Sequence, residues 1–275
     1  MKILNGLELA GYIKERQLKQ VRALRQSWRV FPRLAIMRSG ENPVIDTYVR
    51  LKSEYGEDIA IDVDVYNLPE SELLEKIKNL NNDEKVHGII VQLPLADNSM
   101  TDILVDAVTP SKDVDGLSNK SEFIPATATA IDWLMVGYNV DLQYKKIAIV
   151  GKGRLVGAPL AELWRKGLYE VTVFDSKTED LAGMLLESDV IVTATGIPGL
   201  ITSSMIKNGA VIVDAGTASE NGKIVGDIAD DVRERNDLTI TPVKGGVGPL
   251  TIAALFDNVI TSARKIAEVK GQQDL

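Results

Sequence analysis

The sequence predicts an α/β protein of two domains. Three observations carry this. Strand-length apolar runs alternate with helix-forming segments, a polar stretch at residues 109–128 interrupts the alternation, and a glycine-rich turn joins a strand to a helix soon after. At 275 residues, with 45% hydrophobic and 25% charged content, the chain can fill one large core or two modest ones.

Residues 8–26 combine strong helix formers with Leu9, Ile13, Leu18, Val21 and Leu24 at helical spacing, which predicts an amphipathic first helix. The period then changes. Residues 33–40 read as a buried strand, 43–56 as a helix with proline near its start, 59–69 as an alternating strand ended by proline, 71–80 as a helix, and 86–95 as a continuous apolar strand of the buried parallel kind. This is a βαβαβ series. After the polar stretch, where a domain junction is expected, residues 131–137 read as a helix. Strands follow at 145–151, 170–175, 188–196, 210–216 and 238–243, separated by helical segments, one of them short at 203–207. Such alternation predicts a parallel, doubly wound sheet with right-handed crossovers, and residues 249–270 close the chain as a helix.

Composition excludes several classes. No apolar run approaches the roughly 20 residues of a membrane span, and the charged N-terminal segment reads poorly as a secretory signal. The absence of cysteine removes disulfides, zinc-thiolate sites and thiol nucleophiles, which makes the cytoplasm the expected location. The single histidine, His87, cannot build a multi-histidine metal site, so no metal is expected; it reads as structural. A net charge of −8, with no basic run, argues against nucleic acid as a partner.

Residues 147–164 set Gly151, Gly153 and Gly157 between a hydrophobic strand and a helix. There bare backbone can approach a pyrophosphate and the helix N-terminus supplies partial positive charge. The spacing is GxGxxxG, one residue longer than the usual fingerprint, and a tight turn without a ligand is the plainer alternative. Asp175, twenty-four residues beyond Gly151, ends the next strand, where a carboxylate accepts from ribose hydroxyls and favours NAD. Lys152, Ser176 and Lys177 are placed to meet the 2′-phosphate of NADP, so the residues alone leave both dinucleotides open.

In the first half, Tyr48 and Lys52 stand four apart on one helix and project from one face, as any such pair on an amphipathic helix does. Gln92 follows an apolar strand, at the carboxyl end where α/β sheets gather ligands; a strand-end cap is the alternative. Asp113 and Asp115 lie in KDVDG, which also reads as a solvated turn. Residues 241–251 concentrate glycines before a helix, a loop able to wrap a ligand or to act as a hinge.

The ordered set YVRLK, VQLPL, PSKDVDG, VGKGRLVGAPL, DSKT, VIVDAG with GDI, and TPVKGGVGPLT resembles the bifunctional methylenetetrahydrofolate dehydrogenase/methenyltetrahydrofolate cyclohydrolase family from about residue 33 to 258. The resemblance implies oxidation of 5,10-methylenetetrahydrofolate with NAD(P), then hydrolysis to 10-formyltetrahydrofolate in the same cleft. It implies Lys52 as the catalytic lysine, Tyr48 against the folate, Gln92 bonded to the lysine within Val91-Gln92-Leu93, and Asp115 on the pterin. Lys244, Gly245, Gly246, Val247 and Gly248 would close over folate and nicotinamide. Cofactor contacts fall on Gly151, Lys152, Gly153, Ser176 and Thr217, with Asp175 beside them. NADP is the implied dinucleotide, with NAD admitted by Asp175. The resemblance further implies a catalytic domain of residues 1–127 and 249–275, a Rossmann-type domain of 128–248, and a homodimer formed through the Rossmann domains.

The chain departs from that family's pattern at several places. GRS is Gly151-Lys152-Gly153, PGGVG begins with Lys244, the proline-cysteine-threonine-proline segment is Pro125-Ala126-Thr127-Ala128, a serine before the tyrosine is Ile45, and a histidine before the serine is Asp175. Two rivals follow: another NAD(P)-dependent oxidoreductase of a small acid, which needs no Tyr48, Lys52, Gln92 and Asp115 together, and a folate- or dinucleotide-binding sensor whose catalysis has decayed.

Overall fold

A computed structural model describes residues 1–220 and 223–273. They form two compact units, one of Met1–Ala10 with Thr127–Thr251, the other of Gly11–Ala126 with the chain from Ile252 onward. The chain opens with a two-residue strand β1 (Lys2–Ile3) and helix α1 (Gly6–Ser27).

The unit containing residues 11–126 is built on a parallel three-stranded sheet. Its elements are β2 (Arg33–Arg38), α2 (Pro43–Asp58), β3 (Asp62–Asn67), α3 (Glu70–Asn81), β4 (Gly88–Val91) and α4 (Thr101–Asp106), in strand order β3-β2-β4. The central strand β2 is buried almost throughout, whereas the alternating, acidic β3 forms an edge with Val65 exposed, a composition that discourages further pairing. Asn42 caps α2 by accepting from the amides of Val44 and Ile45, with Pro43 at the first turn. Helix α3 buries Leu73, Ile77 and Leu80 against Ala35, Met37, Ile89 and Val91. His87 is buried, and its Nδ1 accepts from Arg33 N at 3.3 Å, a structural role as expected.

The final helix, α9 (Val247–Gln273), contributes to the same unit from Ile252 on. Asn258 Nδ2 donates to Val114 O at 2.9 Å, Ser262 Oγ donates to Ser111 O at 3.0 Å, and the rings of Tyr55 and Phe256 stack at 5.1 Å. Gln17, fully buried, donates to Ala253 O and accepts from Tyr55 Oη, so this polar group inside the core is satisfied.

The other unit carries α5 (Ala126–Gly137), β5 (Ile147–Val150), α6 (Gly157–Lys166), β6 (Val171–Phe174), α7 (Leu181–Leu186), β7 (Val190–Thr193), β8 (Val211–Asp214), the hairpin strands β9 (Ala218–Glu220) and β10 (Lys223–Val225), α8 (Asp230–Arg233) and β11 (Thr239–Ile240). Its six-stranded sheet runs β1-β11-β8-β7-β5-β6, all neighbours parallel. Strands β5 and β7 are buried on both faces, the signature of a sheet covered by helices. Trp164 is buried, and its indole nitrogen donates to Asp132 at 2.9 Å.

Several elements depart from expectation: the β9–β10 hairpin, α4 and α8 were not read, β4 and β11 are shorter than read, and two further departures have identifiable physical causes. Met1–Ala10 belongs with this unit rather than with residues 11–126, because β1 pairs with β11: Lys2 N bonds Leu238 O and Leu4 N bonds Ile240 O, each at 2.9 Å. A two-residue strand carries too little periodicity to be read. Helix α5 starts five residues earlier than its periodicity suggested, since Ala126, Ala128 and Ala130 are buried small residues in a helix without a polar face. Among the described residues no helix is long and apolar enough to cross a membrane.

Candidate active site

In the three-stranded unit, α2 and the carboxyl end of β4 bring together residues forty positions apart. Lys52 Nζ donates to Gln92 Oε1 at 2.8 Å, and Gln92 Nε2 donates to Leu93 O at 3.0 Å. The strand register fixes Gln92: its amide bonds Met37 O at 2.8 Å, continuing the β2–β4 ladder by one residue. Val91, one residue earlier, points the other way into the core and Leu93 packs against that core, so of the three only Gln92 offers a polar side chain.

Burial lowers the pKa of Lys52, an effect opposed by the charge of Asp115. Burial raises the pKa of Asp115, opposed in turn by Lys52. Both residues are partly exposed as a whole, while desolvation of the charged group is the larger effect on each. Tyr48, one turn before Lys52, is half-buried and its hydroxyl is likewise pushed up by burial. Ile45 is buried and offers no polar contact.

The KDVDG segment divides its labour. Lys112 Nζ donates to the carbonyls of Leu80, Asn81 and Asp83 at 3.0, 2.8 and 2.7 Å, closing the C-terminus of α3. Asp113 is buried and accepts from the amides of Leu117 and Ser118. These two are structural, not solvated, and they hold the loop from which Asp115 projects.

In the six-stranded unit, a cavity of about 360 Å³ is lined by residues 153–156, 194–196 and 215–217. These stretches follow β5, β7 and β8, at the carboxyl ends of the strands, and β5 lies between β6 and β7, where the winding of the sheet reverses direction. Gly151 adopts φ +105°, and a Cβ there would meet Ala194 O; a Cβ at Gly157 would overlap the Gly151 carbonyl. Gly151 and Gly157 therefore pack backbone on backbone, while a Cβ at Gly153 would meet nothing within 4 Å. The open side at Gly153, close to the start of α6, fits the approach of a pyrophosphate.

Of the expected cofactor residues, Gly153 and Thr217 line this cavity. Lys152, Asp175 and Ser176 are exposed, and Asp175 Oδ1 accepts from Lys177 N at 2.9 Å. Lys244 and Gly248 are exposed and Gly246 and Val247 buried, with Gly245 at φ +82°. Residues 154–156, 194–196 and 215–216 were missed by sequence reasoning, although the glycine-rich turn and the ends of two buried strands were the available signals. Among the described residues no group of histidine, aspartate or glutamate is arranged to hold a metal.

Family models match both parts of the chain: the tetrahydrofolate dehydrogenase/cyclohydrolase catalytic domain over residues 4–115 and the corresponding NAD(P)-binding domain over 125–267. The chain belongs to the tetrahydrofolate dehydrogenase/cyclohydrolase family. A bifunctional protein FolD of Campylobacter jejuni is 38% identical over 279 residues, covering 96% of this chain and 99% of the relative. The crystal structure of a Campylobacter jejuni FolD superposes with a TM-score of 0.90 at 37% identity, covering 96% of this chain and 99% of that one. A Trypanosoma brucei family member, solved with NADP cofactor and inhibitor, gives 0.89 at 30% identity, covering 96% and 97%.

Proposed function

We propose that Lys52, Tyr48, Gln92 and Asp115 hold the folate and carry out the proton chemistry of a two-step enzyme. The protein oxidises 5,10-methylenetetrahydrofolate to the 5,10-methenyl cation with NAD(P), then hydrolyses that cation to 10-formyltetrahydrofolate. The observation that carries the assignment of residues is the 2.8 Å bond from a partly desolvated Lys52 to Gln92, with Asp115 as its charged neighbour.

The bound dinucleotide supplies the hydride acceptor, so in the first step the side chains need only position the methylene carbon. In the second, water adds to the methenyl carbon and one proton must leave. Lys52, whose pKa is held down by burial, is suited to pass that proton at its Nζ, with Gln92 fixing the direction of the amine. The carboxylate of Asp115 suits the donor-rich edge of the pterin, and Tyr48 would pack on the folate. Lys244 to Gly248 would cover the substrate from their glycine-rich loop.

For the dinucleotide, Gly151, Lys152, Gly153, Ser176 and Thr217 would hold the phosphates and ribose. We infer NADP as the preferred species, with NAD admitted because Asp175 supplies a ribose acceptor. A cytoplasmic homodimer is the accompanying proposal, supported by the resemblance and checked by light scattering.

The test is absorbance of the purified protein with methylenetetrahydrofolate, giving NAD and NADP separately and following reduced dinucleotide and the methenyl species. Turnover followed by loss of the methenyl band is expected. Silence with both dinucleotides, despite measured folate binding, would replace this reading with the decayed sensor.

A further inference from the structure

Two of the three stretches around the dinucleotide cavity are tied to a carboxylate that lies outside its lining. Asp227 is fully buried, and its Oδ2 accepts from Thr193 Oγ1 and Thr195 N, each at 2.6 Å. Those bonds fix the exit from β7. Asp214 Oδ1 accepts from Gly216 N and from Asp227 N, both at 3.0 Å, which fixes the exit from β8 to the same residue. Among the described residues Asp227 Oδ1 meets no hydrogen-bond donor, and it lies against Gly216, where a Cβ would collide with it. The cavity wall at that point is a single glycine backbone with the carboxylate behind it.

Leaving one oxygen of a buried carboxylate unbonded carries a desolvation cost that an apolar side chain would not. We propose that Asp227 is a positioning residue for dinucleotide binding: through Thr195 and, by way of Asp214, Gly216, it sets the separation of the two loops that receive the ligand. The proposal rests on reading the cavity as the dinucleotide site.

The test measures NADP and NAD affinity by calorimetry for the full-length protein and for D227N and T193V, alongside hydrolysis of methenyltetrahydrofolate, which needs no dinucleotide. In D227N a neutral amide replaces the charged acceptor, so the dissociation constant should rise about tenfold or more, as small misplacements of binding groups do. T193V removes one of the two bonds and should give a smaller rise, and hydrolysis should stay within about twofold in both because Lys52 lies in the other unit. Unchanged affinity in both variants overturns the proposal, as does a fall in hydrolysis matching the fall in affinity, which would mean general loosening. If D227N fails to fold, T193V decides on the same criteria. A native protein that binds neither dinucleotide would instead sink the reading of the cavity, and the proposal with it.

Discussion

The lysine cluster and the strand-end cavity are made of different material. In the three-stranded unit the cluster is made of side chains: Lys52 bonded to Gln92, with Asp115 as counter-charge. In the six-stranded unit the cavity is lined at strand ends by Gly153, Gly196 and Gly216 together with residues such as Leu155 and Thr195, beside Gly151 packed against Ala194 and Gly157. A side-chain site requires residue types, whereas a backbone site requires conformations that several sequences satisfy. The chain keeps the expected Tyr48, Lys52, Gln92 and Asp115, while Lys152, Gly153 and Asp175 depart from the pattern it resembles, as do Ile45 and Lys244 on the folate side.

The sharpest way to break this comparison is Lys52→Met. Removing the proton-transfer group should lower methenyltetrahydrofolate hydrolysis by about 10³-fold while dinucleotide affinity stays near normal. Hydrolysis at the native rate would remove Lys52 from its role.

Asp115→Asn should act next most strongly, weakening folate kcat/KM by about tenfold to a hundredfold through loss of a charged hydrogen bond. Its sign on pH is definite. Asp115 raises the pKa of Lys52 against the larger lowering by burial, so without it the lysine loses its proton at lower pH and that limb of the hydrolysis profile shifts to lower pH. Gln92→Glu should move the same limb upward, because a second carboxylate favours the ammonium. Parallel shifts in the two variants would refute the electrostatic account.

In the six-stranded unit, Asp175→Ser should move the ratio of kcat/KM towards NADP by about tenfold, as expected for one ribose contact. An unaltered ratio would leave Asp175 a surface residue.

The smallest effect on rate belongs to Lys112→Met. Three helix-end carbonyls lose their donor, so stability should fall by about 2 kcal/mol in urea unfolding while hydrolysis per folded molecule changes less than about twofold. A large loss of specific activity would place Lys112 in the site rather than behind it.

The sequence by itself determined the alternation of strands and helices, the parallel sheets and the order of motifs, because hydrophobic period and turn residues are local properties. Read residue by residue it supplied Lys52 and Gln92 only as types, and their pairing came from the family resemblance rather than from any local pattern. Their contact depends on the register of β4 beside β2, which continues the ladder to Gln92 N and turns Gln92 to the face opposite Val91. Tertiary structure decided that Lys112 and Asp113 are tied into the backbone while Asp115 lies in the field of Lys52, which the residues of a polar stretch do not reveal without the resemblance. It alone attached β1 to β11, and it alone placed Asp227 behind Thr195 and Gly216. These pairings join residues far apart in the chain, and which of many polar groups meet inside a fold is settled by packing, not by local pattern.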